Sequence, residues 1–373
     1  MRPPLVVSAL VLSLSTFSFT VALSITERLN SIMGAGLSTT QWYAYGKLHF
    51  TQKGYIRHMG KYTTPVQSSP SIARGVKGAD GVDLDGKVVV ITGANSGIGK
   101  TLSMYTAAKG ANVYMICRSK ERAEMARDEI VKATSNNAVN IVLADVSELD
   151  QVKLAVKEVE SKEACVDVLY CNAGKLLNDR QTTSDGNETT VAAHLIGGSY
   201  LLTKLCMPLL KASAAKGNDP KVIFVTSGGM LLNKLPAWDV LTNQNPETYD
   251  GVKAYSYAKR GQVILAEEFA KEKTGITFLS AHPGWTATDA VDEAFGSNKS
   301  LFEPLRDLWS GAEGLAWFMG AKKDELINGG FYLDRKPQSK HLAGLFMTEG
   351  SFTKNSREEI NNFMSNLKKM VGL

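Results

Sequence analysis

Cysteine is scarce in this sequence, and the few cysteines form no recognisable pattern. There are four, Cys117, Cys165, Cys171 and Cys206, with no CxxC pair and no metal-ligand spacing. Three of them lie in or beside apolar runs, which predicts buried free thiols. We therefore expect no metal site, and we expect the folded domain to lie in a reducing environment.

Concentrated charge is also missing. The chain has 373 residues, 44% of them hydrophobic, and a formal net charge of +5, but its lysines and arginines are spread out and mixed with acids. This pattern is typical of solvated helix faces and argues against nucleic-acid binding. Internal repeats are absent as well, and the length allows one large core or two modest ones.

The amino terminus lacks charge over one long apolar run. This run, LVVSALVLSLSTFSFTVAL, covers residues 5–23. Residues 1–24 are therefore predicted to be a signal peptide or a signal anchor, which directs the chain to the secretory pathway or the endoplasmic reticulum membrane. The many Ser and Thr residues leave open a transit peptide for a plastid or mitochondrion. A domain anchored on the cytosolic side would agree with free thiols, whereas a lumenal domain would open sequons at Asn187 and Asn298 to glycosylation.

An aromatic and basic arm with a linker follows, over residues 25–83. The stretch QWYAYGKLHFTQKGYIRHMGKY at residues 41–62 mixes rings and cations. Such a mixture suits either the membrane interface or a helix packed on its own domain. Residues 63–81, rich in Pro, Ser and Gly, are predicted to be a linker.

Short apolar runs separated by helix-length segments begin near Leu84. Continuous apolar runs are typical of strands buried on both faces, and helices between them indicate parallel crossover connections. The predicted fold is α/β, a single doubly wound Rossmann-type domain with a parallel sheet over residues 84–335. Residues 336–373 form an extension with a helix at 356–370. The predicted strands are KVVVITG (87–93), ANVYMIC (111–117), NIVLAD (140–145), VDVLYCN (166–172), KVIFVTS (221–227), ITFLSAHPG (276–284) and GGFYLD (329–334).

The first predicted strand runs directly into TGANSGIGK, residues 92–100. Gly93, Gly97 and Gly99 allow a tight turn and a close approach of the backbone to a pyrophosphate. The N–H groups and the dipole at the start of the next helix would stabilise that charge. The position between a strand and a helix is what makes this glycine pattern indicate a nucleotide site.

The second predicted strand ends in Cys117 and Arg118, where the acid that binds the ribose of NAD is missing. A guanidinium can pair with a 2′-phosphate through its fork of donors, so we expect NADP(H) rather than NAD(H). Asp145 ends the third strand and Asn172, Ala173 and Gly174 end the fourth. These residues are expected at the carboxyl edge of the sheet, where ligands bind in such folds.

Ser227 ends the fifth strand, and the next helix carries Tyr255 and Lys259. Their spacing of four residues puts both side chains on one helix face, so the ammonium is expected to lower the pKa of the phenol. Such a tyrosine can exchange a proton with a hydroxyl or carbonyl, while a serine hydroxyl binds the same oxygen. Tyr257 has Gly261 at the equivalent position and no such partner.

These motifs, TGANSGIG, Asp145, NAG, Ser227 and YSYAK in this order, resemble the short-chain dehydrogenase/reductase superfamily. The resemblance implies a nicotinamide-dependent oxidoreductase with Ser227, Tyr255 and Lys259 as its catalytic set. Tyr255 would be the acid/base, and Lys259 would also bind the nicotinamide ribose. The resemblance further implies cofactor contacts from Asn95, Ser96, Ile98 and Val146, and from Pro283, Gly284 and Thr288 in HPGWTAT.

A closer resemblance is to the orphan branch called dehydrogenase/reductase member twelve, allied to retinol dehydrogenase-like enzymes. It is carried by VTSGGMLLNKL, AYSYAKRGQVIL, HPGWTAT, DRKPQSKHL and the aromatic WYAYGKLHFTQKGY, and it spans about residues 41–342. Superfamily members often pair through their long helices, so the resemblance also implies a homodimer.

One position departs from the superfamily. Where most members carry a catalytic Asn with NxxG spacing, this chain has His194 before Gly197, with an apparent extra glycine, Gly198. Histidine or its main-chain carbonyl could hold the water of a proton path, which keeps His194 among the catalytic candidates. The alternative is that His194 is a buried helix histidine with no catalytic role. In that case the protein could be a nucleotide-binding scaffold or sensor with little turnover.

The insert between Ser227 and Tyr255 covers residues 228–251 and carries five large apolar residues. We expect it either to line a substrate cavity or to pack ordinarily in the core. The first alternative favours a lipid-like or bulky apolar carbonyl or alcohol as the substrate. Such a substrate would agree with membrane association of the protein. The apolar residues concerned are Met230, Leu231, Leu232, Leu235 and Trp238.

Overall fold

The computed structural model describes residues 39–64, 81–242, 246–289, 291–292, 296–342 and 353–373. The predicted targeting segment and most of the linker lie outside these residues. Within them, no helix combines the length and the apolar character needed to cross a membrane.

One eight-stranded sheet forms the centre of the fold, in the order β3-β2-β1-β4-β5-β6-β7-β8. The first seven strands are parallel, and β8 pairs antiparallel with β7. All seven predicted strands are present, and the predicted doubly wound α/β class is confirmed. The strands are β1 (Val88–Thr92), β2 (Asn112–Cys117), β3 (Val139–Leu143), β4 (Val168–Cys171), β5 (Lys221–Val225), β6 (Thr277–His282), β7 (Phe331–Leu333) and β8 (Lys336–Pro337).

Helices precede the sheet, cover both of its faces and end the chain. Those of the described residues are α1 (39–49), α2 (Gln52–Met59), α3 (Gly97–Ala108), α4 (Lys120–Thr134), α5 (Leu149–Lys162), α6 (Thr189–Val191), α7 (Leu202–Ala215), α8 (Trp238–Thr242), α9 (Gly251–Ala270), α10 (Leu308–Trp317) and α11 (Arg357–Met370). A π-helical stretch, Ala192–Leu201, joins α6 to α7, and short 3₁₀ turns lie at Gly228–Leu231, Pro246–Thr248, Gly296–Phe302 and Lys323–Glu325.

The central strands are mostly apolar because each face of the sheet has its own core. Along β1, Val88 and Val90 join the core on the side of α5, α7 and α9. Val89 and Ile91 join the core on the opposite side, with α3, α4 and α10. Alternate residues of a strand point to opposite faces, so a strand between two helix layers has no position for a solvated side chain.

The described part of the arm packs on its own domain. Phe50 belongs to a third apolar cluster, against which Trp42, Tyr45 and Trp285 pack. Of the two alternatives for this aromatic segment, packing against the domain is therefore the arrangement in the structure. The rings that suggested a membrane interface form edge-on contacts with one another and with the domain, such as Tyr45 with Phe50 at 5.4 Å and Phe50 with Trp285 at 5.6 Å between centroids.

The cysteines are buried free thiols, as predicted. Cys117, Cys171 and Cys206 are buried, Cys165 is half-buried, and none of the four forms a disulfide. Burial raises the pKa of Cys117 to about 11 and that of Cys171 to about 12, so both stay protonated at neutral pH. The sequon at Asn187 is also closed, because its side chain is buried in the folded domain.

Candidate active site

One cavity of about 680 Å³ lies at the carboxyl edge of the sheet. The strand order reverses between β1 and β4, and crevices at such reversals are where ligands bind in open α/β sheets. All the candidate site residues line this cavity: Gly93, Asn95, Ser96, Gly97, Ile98, Gly99, Arg118, Asp145, Val146, Asn172, Ala173, Gly174, His194, Ser227, Tyr255, Lys259, Pro283, Gly284 and Thr288.

The glycine loop after β1 has no room for side chains. Gly93 and Gly97 have φ values of 63° and 51°, in the left-handed region that favours glycine. A Cβ on Gly99 would lie 2.1 Å from the carbonyl oxygen of Gly93. Ser96, the residue before α3, makes no side-chain cap, so the loop and the first turn of α3 present backbone N–H groups to the cavity. These features fit a pyrophosphate.

The NAG motif joins β4 to this loop. Asn172 donates from its side chain to the carbonyl oxygen of Thr92 at 2.9 Å, and its backbone N–H donates to the Thr92 hydroxyl at 2.9 Å. A Cβ on Gly93 would lie 2.9 Å from the Cα of Ala173. The two strand ends are therefore locked together beneath the nucleotide site.

Two arginines line the end of the cavity beside β2. Arg118 is exposed and lies 3.8 Å from the Asp145 carboxylate between the closest nitrogen and oxygen atoms. Arg122, in the first turn of α4, lines the same cavity and was missed by the sequence reasoning, because nothing in its spacing distinguishes it from a surface arginine. Both guanidinium groups therefore border the cavity next to the carboxyl end of β2.

The serine, tyrosine and lysine meet on the other side of the cavity. The Ser227 hydroxyl lies close enough to Tyr255 to lower the pKa of the phenol, and it accepts from the backbone N–H of Gly229 at 3.3 Å. The ammonium of Lys259 lies 5.4 Å from the centre of the Tyr255 ring and donates to the carbonyl oxygen of Val225 at 2.7 Å. Tyr257 packs against the hydrophobic core and does not line the cavity.

The pKa of Tyr255 departs from the sequence expectation. Burial raises it above its usual value, although the nearby Ser227 hydroxyl opposes the rise. Burial also lowers the pKa of Lys259 to about 7, so the lysine is only partly charged at neutral pH. The expectation that the ammonium lowers the phenol pKa is therefore wrong for the protein alone, because burial dominates the environment of Tyr255.

The extra glycine lies within the π-helical stretch Ala192–Leu201. A Cβ on Gly197 would lie 2.1 Å from the carbonyl oxygen of Val146, and one on Gly198 would lie 1.9 Å from that of Ala193. Gly197 is thus required for this helix to pack against the loop after β3, and Gly198 is required by the π-helical turn itself. π-Helical segments arise from one inserted residue and occur frequently at functional sites.

His194 reaches the cavity from this stretch. Its ring lies edge-on to Tyr255, 5.1 Å between centroids, and a Cβ on Gly174 would lie 1.6 Å from it. Nε2 donates to the carbonyl oxygen of Lys175 at 3.2 Å, which leaves Nδ1 as a buried acceptor without a partner. Burial, followed by the charge of Lys259, lowers the pKa of His194 well below its usual value, so the ring is neutral.

The main-chain carbonyl of His194 is already occupied. It accepts from the Ser199 hydroxyl at 2.5 Å and from the Gln262 amide at 3.0 Å. A carbonyl oxygen has two lone pairs, so these bonds leave no acceptor for a water of a proton path. The expectation that this carbonyl could hold such a water is therefore wrong in this structure.

The apolar wall of the cavity comes only in small part from the insert. Leu232 lines the cavity, but Met230 and Leu231 are in the third apolar cluster, and Leu235 and Trp238 pack in the main core. Ordinary packing is thus the correct alternative for four of the five residues. The other apolar residues of the wall include Trp42, Val252, Trp285, Phe302 and Leu305.

His282, at the end of β6, is a second histidine of the cavity and was not singled out from the sequence. Both of its ring nitrogens are buried without a partner. Burial and then the positive charge of Arg306 lower its pKa to about 3, so this ring is also neutral. Gly284, two residues later, has a φ of 79°, and a Cβ there would lie 2.1 Å from the Arg306 side chain.

A doubly wound parallel sheet with a glycine cradle and a Ser, Tyr and Lys set at its carboxyl edge defines a nucleotide-dependent dehydrogenase. Residues 87–238 match the family described as short chain dehydrogenase. The human dehydrogenase/reductase SDR family member 12 (Homo sapiens) is 35% identical over 303 residues, which is 81% of this chain and 89% of the human protein. The chain belongs to the short-chain dehydrogenase/reductase family and is an oxidoreductase of alcohol and carbonyl groups.

Other relatives agree with this assignment. Retinol dehydrogenase 12 of Bos taurus is 34% identical over 260 residues, covering 68% of this chain and 80% of the bovine protein. Among solved structures, a short chain dehydrogenase of Shigella flexneri 2a str. 301 complexed with NADP has a TM-score of 0.52 at 19% identity, covering 66% of this chain and 96% of that one. This last likeness concerns the fold alone.

Proposed function

We propose that the protein is an NADP(H)-dependent oxidoreductase that interconverts a carbonyl and an alcohol on an apolar, lipid-like substrate. The observation that carries this proposal is that Ser227, Tyr255 and Lys259 meet in the same cavity as the glycine cradle and an apolar wall. NADPH bound in the cradle would supply the hydride. Turnover of a panel of retinoid, steroid and fatty aldehydes with NADPH tests the proposal, and no turnover of any member would contradict it.

The residues divide the remaining work. Ser227 would donate a hydrogen bond to the substrate oxygen, and Tyr255 would donate the proton to that oxygen during reduction. The raised pKa of Tyr255 keeps the phenol protonated at neutral pH, which supports the acid role in carbonyl reduction. Lys259, which donates to the carbonyl oxygen of Val225, would bind the nicotinamide ribose.

Cofactor choice is expected to depend on the arginines. Replacing Arg118 with Asp removes a partner of the 2′-phosphate and adds a charge that repels it, so we expect the dissociation constant of NADPH to rise by about 10- to 100-fold. Binding of NADH, which lacks this phosphate, should weaken much less. Fluorescence titration with both nucleotides measures the effect, and equal losses for the two would contradict the preference for NADP(H).

A scaffold or sensor with little turnover is the second candidate. The observation that favours it is the His194 carbonyl, which already accepts from Ser199 and Gln262 and so cannot relay a proton through water. The presence of Ser227, Tyr255 and Lys259 in one cavity argues for a catalytically active protein instead. Measured turnover of the parent protein distinguishes the two candidates.

We also propose that residues 1–24 direct the chain to the endoplasmic reticulum membrane with the domain on the cytosolic side. The buried free thiols support this orientation. Expression in microsomes tests it: we expect no glycosidase-sensitive shift on a gel, and full digestion of the domain by added protease. A glycosylated, protected domain would support a lumenal site, and import into a plastid or mitochondrion would support a transit peptide.

The homodimer stays a proposal carried by the family resemblance. Any pairing face must leave room for α11, because Arg357 pairs bidentately with Glu268 of α9 at 2.7 Å for both bonds. Analytical ultracentrifugation tests the proposal, and a single monomeric species would contradict it.

A further inference from the structure

The arm, residues 39–64, lies against the loop that follows β6. Its corner residue Phe50 accepts a hydrogen bond from the backbone N–H of Trp285 at 2.8 Å. Further along, the backbone N–H of Gln52 donates to the carbonyl oxygen of Pro304 at 2.9 Å. The arm therefore holds both ends of the loop, residues 285–304, by backbone hydrogen bonds.

Side chains of α1 add contacts to the same loop. The hydroxyl of Tyr43 donates to the carbonyl oxygen of Leu301 at 2.7 Å, and the ammonium of Lys47 donates to the carbonyl oxygen of Glu303 at 2.6 Å. Gly46 lies under the Trp285 ring, where a Cβ would be 2.4 Å away. A larger residue at position 46 would displace Trp285 from the cavity wall.

A buried arginine anchors the corner of the arm. Arg306 is fully buried and donates to the carbonyl oxygens of Phe50 and His49, each at 2.8 Å. It also forms a bidentate ion pair with Asp334, at 2.5 and 2.7 Å. The arm is thus fixed to the domain by buried charge as well as by apolar packing.

Trp42 extends from the arm into the cavity. Its indole N–H donates to the carbonyl oxygen of Gly228 at 2.7 Å, and its ring lies 5.8 Å from that of Trp285. Because Gly228 directly follows Ser227, the indole is held close to the hydroxyl that would bind the substrate oxygen. Of residues 39–64, Trp42 is the one that lines the cavity.

We propose that the arm forms the substrate-side wall of the active site and that Trp42 is a specificity-determining residue for large apolar substrates. The proposal deepens the proposed function and rests on it. The hydrocarbon part of the substrate lies against the indoles of Trp42 and Trp285, with Phe302 and Leu305 beside them. The nucleotide cradle is built by other residues, so the arm selects the substrate without selecting the cofactor.

Steady-state kinetics of Trp42→Ala with NADPH test this proposal, using all-trans-retinal as a large aldehyde and butanal as a small one. Loss of the indole removes contact area that only the large aldehyde reaches, so we expect the KM for retinal to rise about tenfold or more. The KM for butanal should change less than about twofold, and so should the dissociation constant of NADPH.

The matched control is Tyr45→Phe, another arm substitution, which removes the hydrogen bond of the Tyr45 hydroxyl to Gln338 at 3.0 Å without touching the cavity. Its KM values should equal those of the parent. Equal changes for retinal and butanal in Trp42→Ala, or a loss of NADPH binding, would overturn the proposal.

A second measurement separates this proposal from the proposed function. If the parent turned over no aldehyde, the proposed function would fail, but retinal binding to the NADPH complex could still be followed by the absorbance of retinal. Weaker binding by about tenfold in Trp42→Ala would then support the wall. Unchanged binding would overturn it.

Discussion

Replacing Tyr255 with Phe is expected to lower kcat by about 10²- to 10⁴-fold, the range that a positioned acid/base contributes. The change removes one hydroxyl and keeps the ring, which lies edge-on to His194 and beneath the Lys259 ammonium. NADPH binding should persist, because the glycine cradle is unchanged. Steady-state turnover of the best aldehyde, together with a fluorescence titration of NADPH, measures both effects.

The chain supplies a matched control two residues away. Tyr257→Phe removes a hydroxyl from the same helix, but Tyr257 packs against the core and does not line the cavity. Its turnover should equal that of the parent. If Tyr255→Phe also kept parental turnover, Tyr255 would not be the acid, and if the parent itself bound NADPH without turnover, the scaffold would be the better reading.

Replacing Arg306 with Met is expected to lower the free energy of unfolding by about 3–5 kcal/mol, the cost of leaving one partner of a buried ion pair without the other. The partner, Asp334, is buried and also accepts from His58 at 2.8 Å. Burial by itself would raise the pKa of Asp334, but Arg306 and His58 together hold it below its usual value. Urea unfolding at pH 7 measures the loss.

Two further variants test this explanation. Arg357→Met breaks an ion pair of similar bidentate geometry on the surface, with Glu268, and should leave the unfolding midpoint close to that of the parent. Arg306→Met combined with Asp334→Leu removes both buried charges and should recover part of the stability. A double variant as unstable as the single one would show that the loss comes from the arm contacts of Arg306 rather than from the unpaired carboxylate.

The proposed catalytic residues and the glycine loop could be located from the sequence because their signals are local. Gly93 directly follows β1 and Gly97 and Gly99 begin α3, while Tyr255 and Lys259 are one helical turn apart. The strands were equally predictable, since burial on both faces favours long apolar runs. Arg122 shows the limit of this reasoning. An arginine in the first turn of a helix is common on protein surfaces, and only the folded structure shows that this one lines the cavity.

Other features depended on contacts between distant parts of the chain. The arm could be assigned to two environments by composition, and the hydrogen bond from Trp42 to Gly228, 186 residues away, decides between them. His194 could be seen to replace an asparagine, but the capping of its carbonyl by Gln262, 68 residues away, could not. The raised pKa of Tyr255, beside His194, could not be predicted either, because it depends on how deeply the phenol is buried in the folded protein.

The sequence by itself therefore determined the fold class, the nucleotide cradle and the identity of the Ser227, Tyr255 and Lys259 set. It could do so because the pattern of apolar residues and the spacing of these motifs are properties of individual strands and helices. Only the tertiary structure decided which apolar residues line the cavity, that the His194 carbonyl is occupied, and that burial raises the Tyr255 pKa. Each of these results from packing between elements far apart in the chain, whose mutual approach no local pattern encodes.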